Sequence, residues 1–216
     1  MIEAVIFDMD GLMFDTETLA VPAWEWVAKE LGYPIQEEHV YNIFGKGVDQ
    51  IENYFSEICH GNFDFETSWN MKLNYVTDWV KENGVPIKSG LINLLEYLNG
   101  DYKMAVASST NGSEVNRYLK MAEVDTYFDT VISGDMVEKG KPAPDIFLKA
   151  ASTIGVQPQN CLVLEDALSG IAAASAAGMK SIMIPDKIEP DERTRQLCLC
   201  EKQNLNEVID VLEKMN

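Results

Sequence analysis

The stretch AVIFDMDGLMFDTE, residues 4 to 17, begins as an apolar run and ends as a group of acids. Four consecutive apolar residues suit a strand buried on both faces, as in a parallel sheet. Asp8 and Asp10 follow at once, and Asp15 completes three carboxylates within eight residues. Such groups repel one another unless a positive charge lies among them. The rest of the chain should therefore supply a cation near the end of this strand.

Further apolar runs of strand length follow along the chain, at 104–108, 130–133, 161–165 and 181–185. Amphipathic or small-residue helical patterns separate the later runs, at 112–123, 143–155 and 168–178. Strands that alternate with helices are typical of βαβ units. The sequence therefore predicts an α/β fold with a Rossmann-like parallel sheet core.

A long segment after the first strand has no comparable strand pattern. It contains amphipathic helical patterns at 19–32, 37–45, 49–61 and 65–84. Pro22 should lie in the first turn of its helix, where its missing N–H does least harm. We expect an α/β core of residues 1–14 and 88–216, with residues 15–87 inserted as a helical cap domain over the carboxyl end of the first strand.

Charge and composition limit the classes of partner. The chain has 216 residues, 46% of them hydrophobic, and a formal net charge of −18. An acidic surface repels nucleic acids and anionic membranes, so we expect neither as a partner. Four cysteines and two histidines have neither disulfide-scaffold nor zinc-site spacing. The sequence shows no signal peptide or membrane-spanning run, so we expect a cytoplasmic protein. We also expect it to be a monomer.

Polar residues follow several of the predicted strands. In an open parallel sheet, ligands bind at the carboxyl ends of the strands. The candidates there are Asp8 and Asp10, then Ser108, Ser109 and Thr110, then Glu165 and Asp166, with Lys139 and Lys141 ahead of a helix. Clustered carboxylates without usable His or Cys favour a hard cation, for which Mg²⁺ is the default.

These residue types fit phosphoryl transfer. An Asp carboxylate can accept a phosphoryl group to form an aspartyl phosphate. A second carboxyl two residues away points broadly the same way on extended backbone. It can protonate the leaving alcohol and then deprotonate the attacking water. Ser108 could donate a hydrogen bond to a phosphoryl oxygen, and a metal with a lysine would stabilise the developing charge.

Each element also has an ordinary interpretation. DMDG suits a hairpin turn, SST a helix cap, GKPAPD a helix start, and LED a strand end with solvated acids. An EF-hand is excluded, because its sixth and twelfth positions would be Met13 and Leu19. All four motifs would have to occur by chance in this order, each at a strand end or helix start. A shared active site is the simpler explanation.

The segments DMDGLMFDTE, VASST, GKPAPDIF and LEDALSGI resemble, in order, the four motifs of the haloacid-dehalogenase-like hydrolase superfamily. More narrowly, they resemble its branch of β-phosphoglucomutases and sugar-phosphate phosphatases with a helical cap. The resemblance implies a sheet of order 5-4-1-2-3 and a four-helix cap that closes over the site. It implies that Asp8 is the nucleophile, Asp10 the acid/base, and Ser108 and Lys141 the phosphoryl-binding groups. It also implies that the Mg²⁺ site is formed by Asp8, the backbone carbonyl of Asp10, Glu165 and Asp166.

The cap favours one activity within this branch. By alignment, Ala20 replaces a histidine and Asp49 an arginine of the β-phosphoglucomutases, which leaves Lys46 as the loop's cation. The sequence therefore predicts a Mg²⁺-dependent phosphatase acting on a small phosphorylated metabolite such as a sugar or polyol phosphate. A β-phosphoglucomutase-like phosphoryl transferase and a non-catalytic module that binds such metabolites remain alternatives. The candidate substrate contacts are Thr16, Lys46, Ser109, Thr110 and Asn111.

Overall fold

The computed structural model describes residues 1–44, 48–187 and 189–215, and only the backbone of Glu17. The chain divides into two compact units. Unit 1 consists of Met1–Phe14 and Ile87–Asn216, and unit 2 is Asp15–Pro86.

Unit 1 contains a parallel sheet. Its strands are β1 (Ala4–Phe7), β2 (Lys103–Ser108), β3 (Thr130–Ser133), β4 (Cys161–Glu165), β5 (Lys180–Met183) and β6 (Cys200–Glu201). Their order is β3-β2-β1-β4-β5-β6, and every neighbouring pair is parallel. The predicted Rossmann-like α/β class is confirmed. The predicted order was wrong in ending at the fifth strand, because β6 is only two residues long and half-buried, unlike the longer buried runs that mark the other strands.

The described helices alternate with the strands of unit 1 or lie in unit 2. Unit 2 contains α1 (Thr16–Leu31), α2 (Glu37–Tyr41), α3 (Val48–Ile58) and α4 (Phe65–Asn83). Unit 1 contains α5 (Leu91–Leu98), α6 (Gly112–Met121), α7 (Asp145–Ile154), α8 (Leu168–Ala176), α9 (Glu192–Leu197) and α10 (Asn206–Met215). None of the helices in the described ranges is long and apolar enough to cross a bilayer.

The helices α7 and α8 cover one face of the sheet. Their apolar side chains share a buried core with the strands, in which Ile6 of β1, Phe147 of α7 and Ala174 of α8 take part. Pro144 precedes α7, and Gly155 ends it in the left-handed conformation at φ 75°. The start and stop signals of α7 were therefore visible in the sequence. This packing leaves the carboxyl edge of the sheet to the loops.

Unit 2 has its own core, which is rich in aromatic rings. The rings of Trp24 and Phe55 lie 4.7 Å apart between centroids, and both side chains are buried. Pro22 lies inside α1, which begins at Thr16. The prediction that Pro22 occupies the first turn was wrong, because the helix begins three residues before the expected start at residue 19.

Candidate active site

The central position of β1 places its carboxyl end among those of its neighbours. Phe7 pairs with Val106 of β2 and with Leu164 of β4. Asp8 extends the ladder by one residue, donating its N–H to the carbonyl of Leu164 at 3.0 Å. Parallel strands end at a common edge, so the residues that follow them are brought together. The buried polar side chains at this edge are Asp8, Ser108, Ser133, Glu165 and Asp166.

Lys141 is the cation among these acids. Its Nζ donates to Oδ1 of Asp8 at 2.5 Å and to Oε1 of Glu165 at 2.6 Å. A third bond goes to the carbonyl of Ala107 at 3.1 Å, and the ring of Phe147 lies 5.0 Å from the ammonium. Only 5% of the Lys141 side chain is exposed. The positive charge expected from the opening acids therefore comes from the loop that precedes α7.

Burial and pairing act in opposite directions on these charges. Burial raises the pKa of Asp8 to about 8, with the Lys141 ammonium opposing the rise and the Glu165 carboxylate adding to it. Burial alone would lower the pKa of Lys141, but the carboxylates of Asp8 and Glu165 hold it above its usual value. Lys141 is therefore charged at neutral pH. A cation bound to the Asp8 carboxylate would lower the pKa of Asp8 again.

Two glycines make room for the acids. A Cβ atom at Gly11 would overlap the carboxylate of Asp166, and one at Gly170 of α8 would overlap the carboxylate of Glu165. Gly11 also has a φ of 81°, which suits the turn that follows β1. The Asp-Gly turn was evident in the sequence. For Gly170, the only sequence signal was the small-residue composition of α8, which indicates close packing on the sheet.

The acids form a group that fits a hard metal ion. Asp8, Glu165 and Asp166 are buried, and one carboxylate oxygen from each lies within 4.8 Å of the others. Oxygen-only donors are what Mg²⁺ prefers. Both oxygens of Glu165 also accept hydrogen bonds, Oε1 from Lys141 and Oε2 from the N–H of Ala167 at 2.9 Å. Glu165 therefore holds Lys141 in place whether or not it also binds a metal.

The loop after β2 contacts Asp10, which follows the first strand. Thr110 donates its hydroxyl to Oδ2 of Asp10 at 2.7 Å, and its N–H to Oγ of the buried Ser108 at 3.1 Å. Ser109 is exposed. The side chain of Asn111 accepts from the N–H of Ser113 at 3.0 Å, which makes it the N-cap of α6.

The other predicted residues lie elsewhere. Thr16 is the first residue of α1 in unit 2, and Lys46 lies outside the described residues. Lys139 is exposed, so Lys141 alone of the two lysines joins the acids. Sequence reasoning missed the roles of Ala107 and Phe147, because nothing in an apolar residue marks its carbonyl or its ring as a contact for a cation.

A buried lysine between carboxylates at the carboxyl edge of a parallel sheet is typical of a catalytic site. The sequence model of the haloacid dehalogenase-like hydrolase family matches residues 5–184. The chain belongs to this family. The predicted family and its enzyme class, a phosphoric monoester hydrolase, are confirmed.

The chain is similar to several named proteins. It is 33% identical over 195 residues to the Phosphorylated carbohydrates phosphatase of Thermotoga maritima, covering 83% of each chain. It is 34% identical to Protein SUPPRESSOR OF QUENCHING 1, chloroplastic, of Arabidopsis thaliana, over 85% of this chain but only 18% of that protein's length. A crystal structure of a putative beta-phosphoglucomutase from Thermotoga maritima is similar over 100% of both chains, with a TM-score of 0.84 and 28% identity.

Proposed function

We propose that this enzyme is a Mg²⁺-dependent phosphatase that hydrolyses a small phosphorylated metabolite, such as a sugar or polyol phosphate, through an aspartyl phosphate on Asp8. The observation on which the proposal rests is the contact of Lys141 with both Asp8 and Glu165 at the carboxyl edge of the sheet. The name of the Thermotoga maritima phosphatase supports phosphorylated carbohydrates as the substrate class.

In the first step, an Asp8 carboxylate oxygen attacks phosphorus and the bond to the leaving oxygen breaks. Lys141 occupies Oδ1 of Asp8, so we assign the attack to Oδ2. Asp10 gives its proton to the leaving alkoxide, which departs as the alcohol. Lys141, and Ser108 as a hydrogen-bond donor, stabilise the charge on the phosphoryl oxygens.

In the second step, water attacks the phosphorus of the aspartyl phosphate. Asp10, now a carboxylate, takes the proton from this water and is ready for the next cycle. The Asp8–phosphorus bond breaks, and inorganic phosphate leaves. Water supplies the oxygen of the product, so phosphate and the free alcohol account for all atoms.

The residues that would hold Mg²⁺ are Asp8, Asp166 and Glu165, joined by the backbone carbonyl of Asp10. When bound, the ion would offset the negative charges of the carboxylates and the phosphoryl group. The compartment we propose is the cytoplasm, consistent with four unpaired cysteines. The roles of Thr16, Lys46 and unit 2 in contacting substrate or closing the site remain predictions.

A phosphoryl-transferase activity is the second candidate, because the similar Thermotoga maritima structure is named a putative beta-phosphoglucomutase. Both candidates can use Asp8 and Asp10, and they differ in whether water receives the phosphoryl group. The absence of the cap histidine and arginine, where Ala20 and Asp49 stand, favours the phosphatase.

The test is phosphate release from a panel of hexose, pentose and polyol phosphates, with Mg²⁺ and with EDTA. We expect phosphate release from a subset of sugar or polyol phosphates, and none with EDTA. β-Glucose 1-phosphate belongs in the panel with a catalytic amount of the 1,6-bisphosphate. Accumulation of glucose 6-phosphate without free phosphate would establish the transferase instead. Phosphate release from none of the compounds would contradict the phosphatase.

A further inference from the structure

The hydroxyl of Thr110 makes a short contact with the second carboxylate of the site. Thr110 Oγ1 donates to Asp10 Oδ2 at 2.7 Å, across 100 residues of sequence. Building on the proposed function, we propose that Thr110 is a positioning residue, which orients Asp10 for proton transfer rather than binding the substrate.

The backbone of Thr110 is held on both sides. Its N–H donates to Oγ of Ser108 at 3.1 Å, and its carbonyl accepts from the N–H of Gly134 at 3.1 Å. Two residues later, the N–H of Gly112 donates to Oδ1 of Asp135 at 2.9 Å. The hydroxyl that meets Asp10 is thus carried by a backbone with little freedom to move.

The loop that follows β3 holds the backbone of Thr110 in place. Ser133 pairs with Ser108 in the register of β2 and β3, so Gly134 lies directly beside the loop after β2. A Cβ atom at Gly134 would overlap the carbonyl oxygen of Ser109. Only a residue without a side chain allows this approach, and the approach is what lets Gly134 reach the Thr110 carbonyl. The chain thus links β3, β2 and β1 through Gly134, Thr110 and Asp10.

This contact fixes the orientation of the Asp10 carboxylate, because the Thr110 hydroxyl donates to its Oδ2. In the first step Asp10 gives its proton to the leaving alkoxide. In the second step Asp10 takes a proton from water, and no other reactant is needed. A donor to a carboxylate makes a strong, directional hydrogen bond, which suits this role.

The test compares Thr110→Val, which removes the hydroxyl at nearly constant shape, with Thr110→Ser, which keeps it. The probe is p-nitrophenyl phosphate with Mg²⁺, followed by stopped flow. The p-nitrophenolate group leaves without a proton, so the first step needs no acid, whereas attack by water still needs Asp10 as base. We expect Thr110→Val to keep a rapid burst of about one p-nitrophenol per enzyme, while its kcat falls by about tenfold to a hundredfold.

The remaining kinetic outcomes separate positioning from other roles. We expect Thr110→Ser to restore kcat to within about threefold of the wild type, since the hydroxyl still reaches Asp10. Thr153→Val, the same change on the exposed face of α7, is the matched control and should leave kcat unchanged. A raised KM with normal kcat in Thr110→Val would show a substrate contact and would overturn the proposal, as would unchanged kinetics.

Crystal structures of the two Thr110 variants give a result that does not depend on turnover. We expect the Asp10 carboxylate to change rotamer in Thr110→Val and to stay in place in Thr110→Ser. If the wild type releases no phosphate from the sugar and polyol phosphates and no p-nitrophenol, the phosphatase proposal fails, and these structures decide the positioning role alone. An Asp10 side chain in the same rotamer in the Val variant would contradict it.

Discussion

The two units differ in what their interiors contain. Unit 1 buries Asp8, Glu165 and Asp166 around Lys141, whereas Ser68 is the one buried polar side chain among the described residues of unit 2. The Ser68 hydroxyl is satisfied within its own helix turn by the carbonyl of Asp64. Buried charges cost stability unless they are paired, so they persist where they serve chemistry. The contrast supports the proposal that unit 1 contains the reactive groups, while unit 2 has an apolar core.

The positions of the tryptophans allow the two units to be followed separately. All four tryptophans, Trp24, Trp26, Trp69 and Trp79, lie in unit 2. Tryptophan fluorescence therefore reports on unit 2, while turnover reports on the acids of unit 1. Each change below should affect one unit more than the other.

The largest effect is expected from Asp8→Asn. An amide is not a competent nucleophile, so kcat should fall by more than about a thousandfold, with no phosphoenzyme detectable by mass spectrometry. The tryptophan unfolding curve should not change. Asp210→Asn, at an exposed position of α10, is the matched control and should keep full activity. Turnover in the Asp8→Asn variant would mean that another group attacks phosphorus.

Lys141→Met should destabilise unit 1 strongly. It leaves Asp8 and Glu165 buried beside each other without their cation, which typically costs about 3 to 5 kcal/mol. Urea unfolding followed by circular dichroism measures the loss. Lys103→Met is the contrast, because the pair of Lys103 with Asp129 is largely exposed and should contribute about 0 to 1 kcal/mol. Equal losses in the two variants would show that the buried ion pair contributes no more to the free energy of unfolding than the exposed one.

Gly170→Ala should disturb unit 1 by steric overlap. Alanine favours a helix, but its Cβ would meet the Glu165 carboxylate, and overpacking of this kind costs about 1 to 3 kcal/mol. Displacement of Glu165 should also release Lys141 and lower kcat. Gly140→Ala is the control, since nothing lies within 4 Å of its added Cβ. A Gly170→Ala variant of normal stability and activity would show that Glu165 can move freely.

The smallest effect is expected in unit 2, at the N-cap of α4. The N–H and hydroxyl of Thr67 donate to the Asp64 carboxylate and hold its pKa below the usual value. A lowered folded-state pKa stabilises the protein above the unfolded pKa of about 4, and this stabilisation is lost as the pH falls through the folded value.

Asp64→Asn tests this cap, because asparagine also caps helices but carries no charge. The wild type should have a slightly higher urea midpoint by tryptophan fluorescence at pH 7. This difference should shrink below about pH 4 and vanish once the pH is below the folded-state pKa of Asp64. A difference that grows on acidification would have the wrong sign and would contradict the assignment. Activity at pH 7 should be the same in both proteins.

Particular residues show how much of the site and of the fold the sequence alone predicted. The order of Asp8, Asp10, Lys141, Glu165 and Asp166 along the chain was sufficient to predict an acid-rich site at the strand ends. The sequence did not show that Lys141 contacts Asp8 and Glu165 at once, because 133 residues separate the first pair and a spacing along the chain sets no distance in space. It also missed β6, which has only two residues, and α10, although the apolar residues of α10 recur at helical spacing. Pro22 was misplaced because α1 begins at Thr16 rather than at residue 19.

The sequence alone determined the fold class, the family and the kinds of groups that meet at the site, because apolar periodicity and strand-end chemistry are local properties. Only the tertiary structure decided which groups touch. The parallel register placed Asp8 beside Glu165, the missing side chains of Gly11 and Gly170 admitted the carboxylates, and Gly134 set Thr110 against Asp10. These contacts depend on packing between distant segments, and they bring the acids of FDMDG together with those at the end of β4.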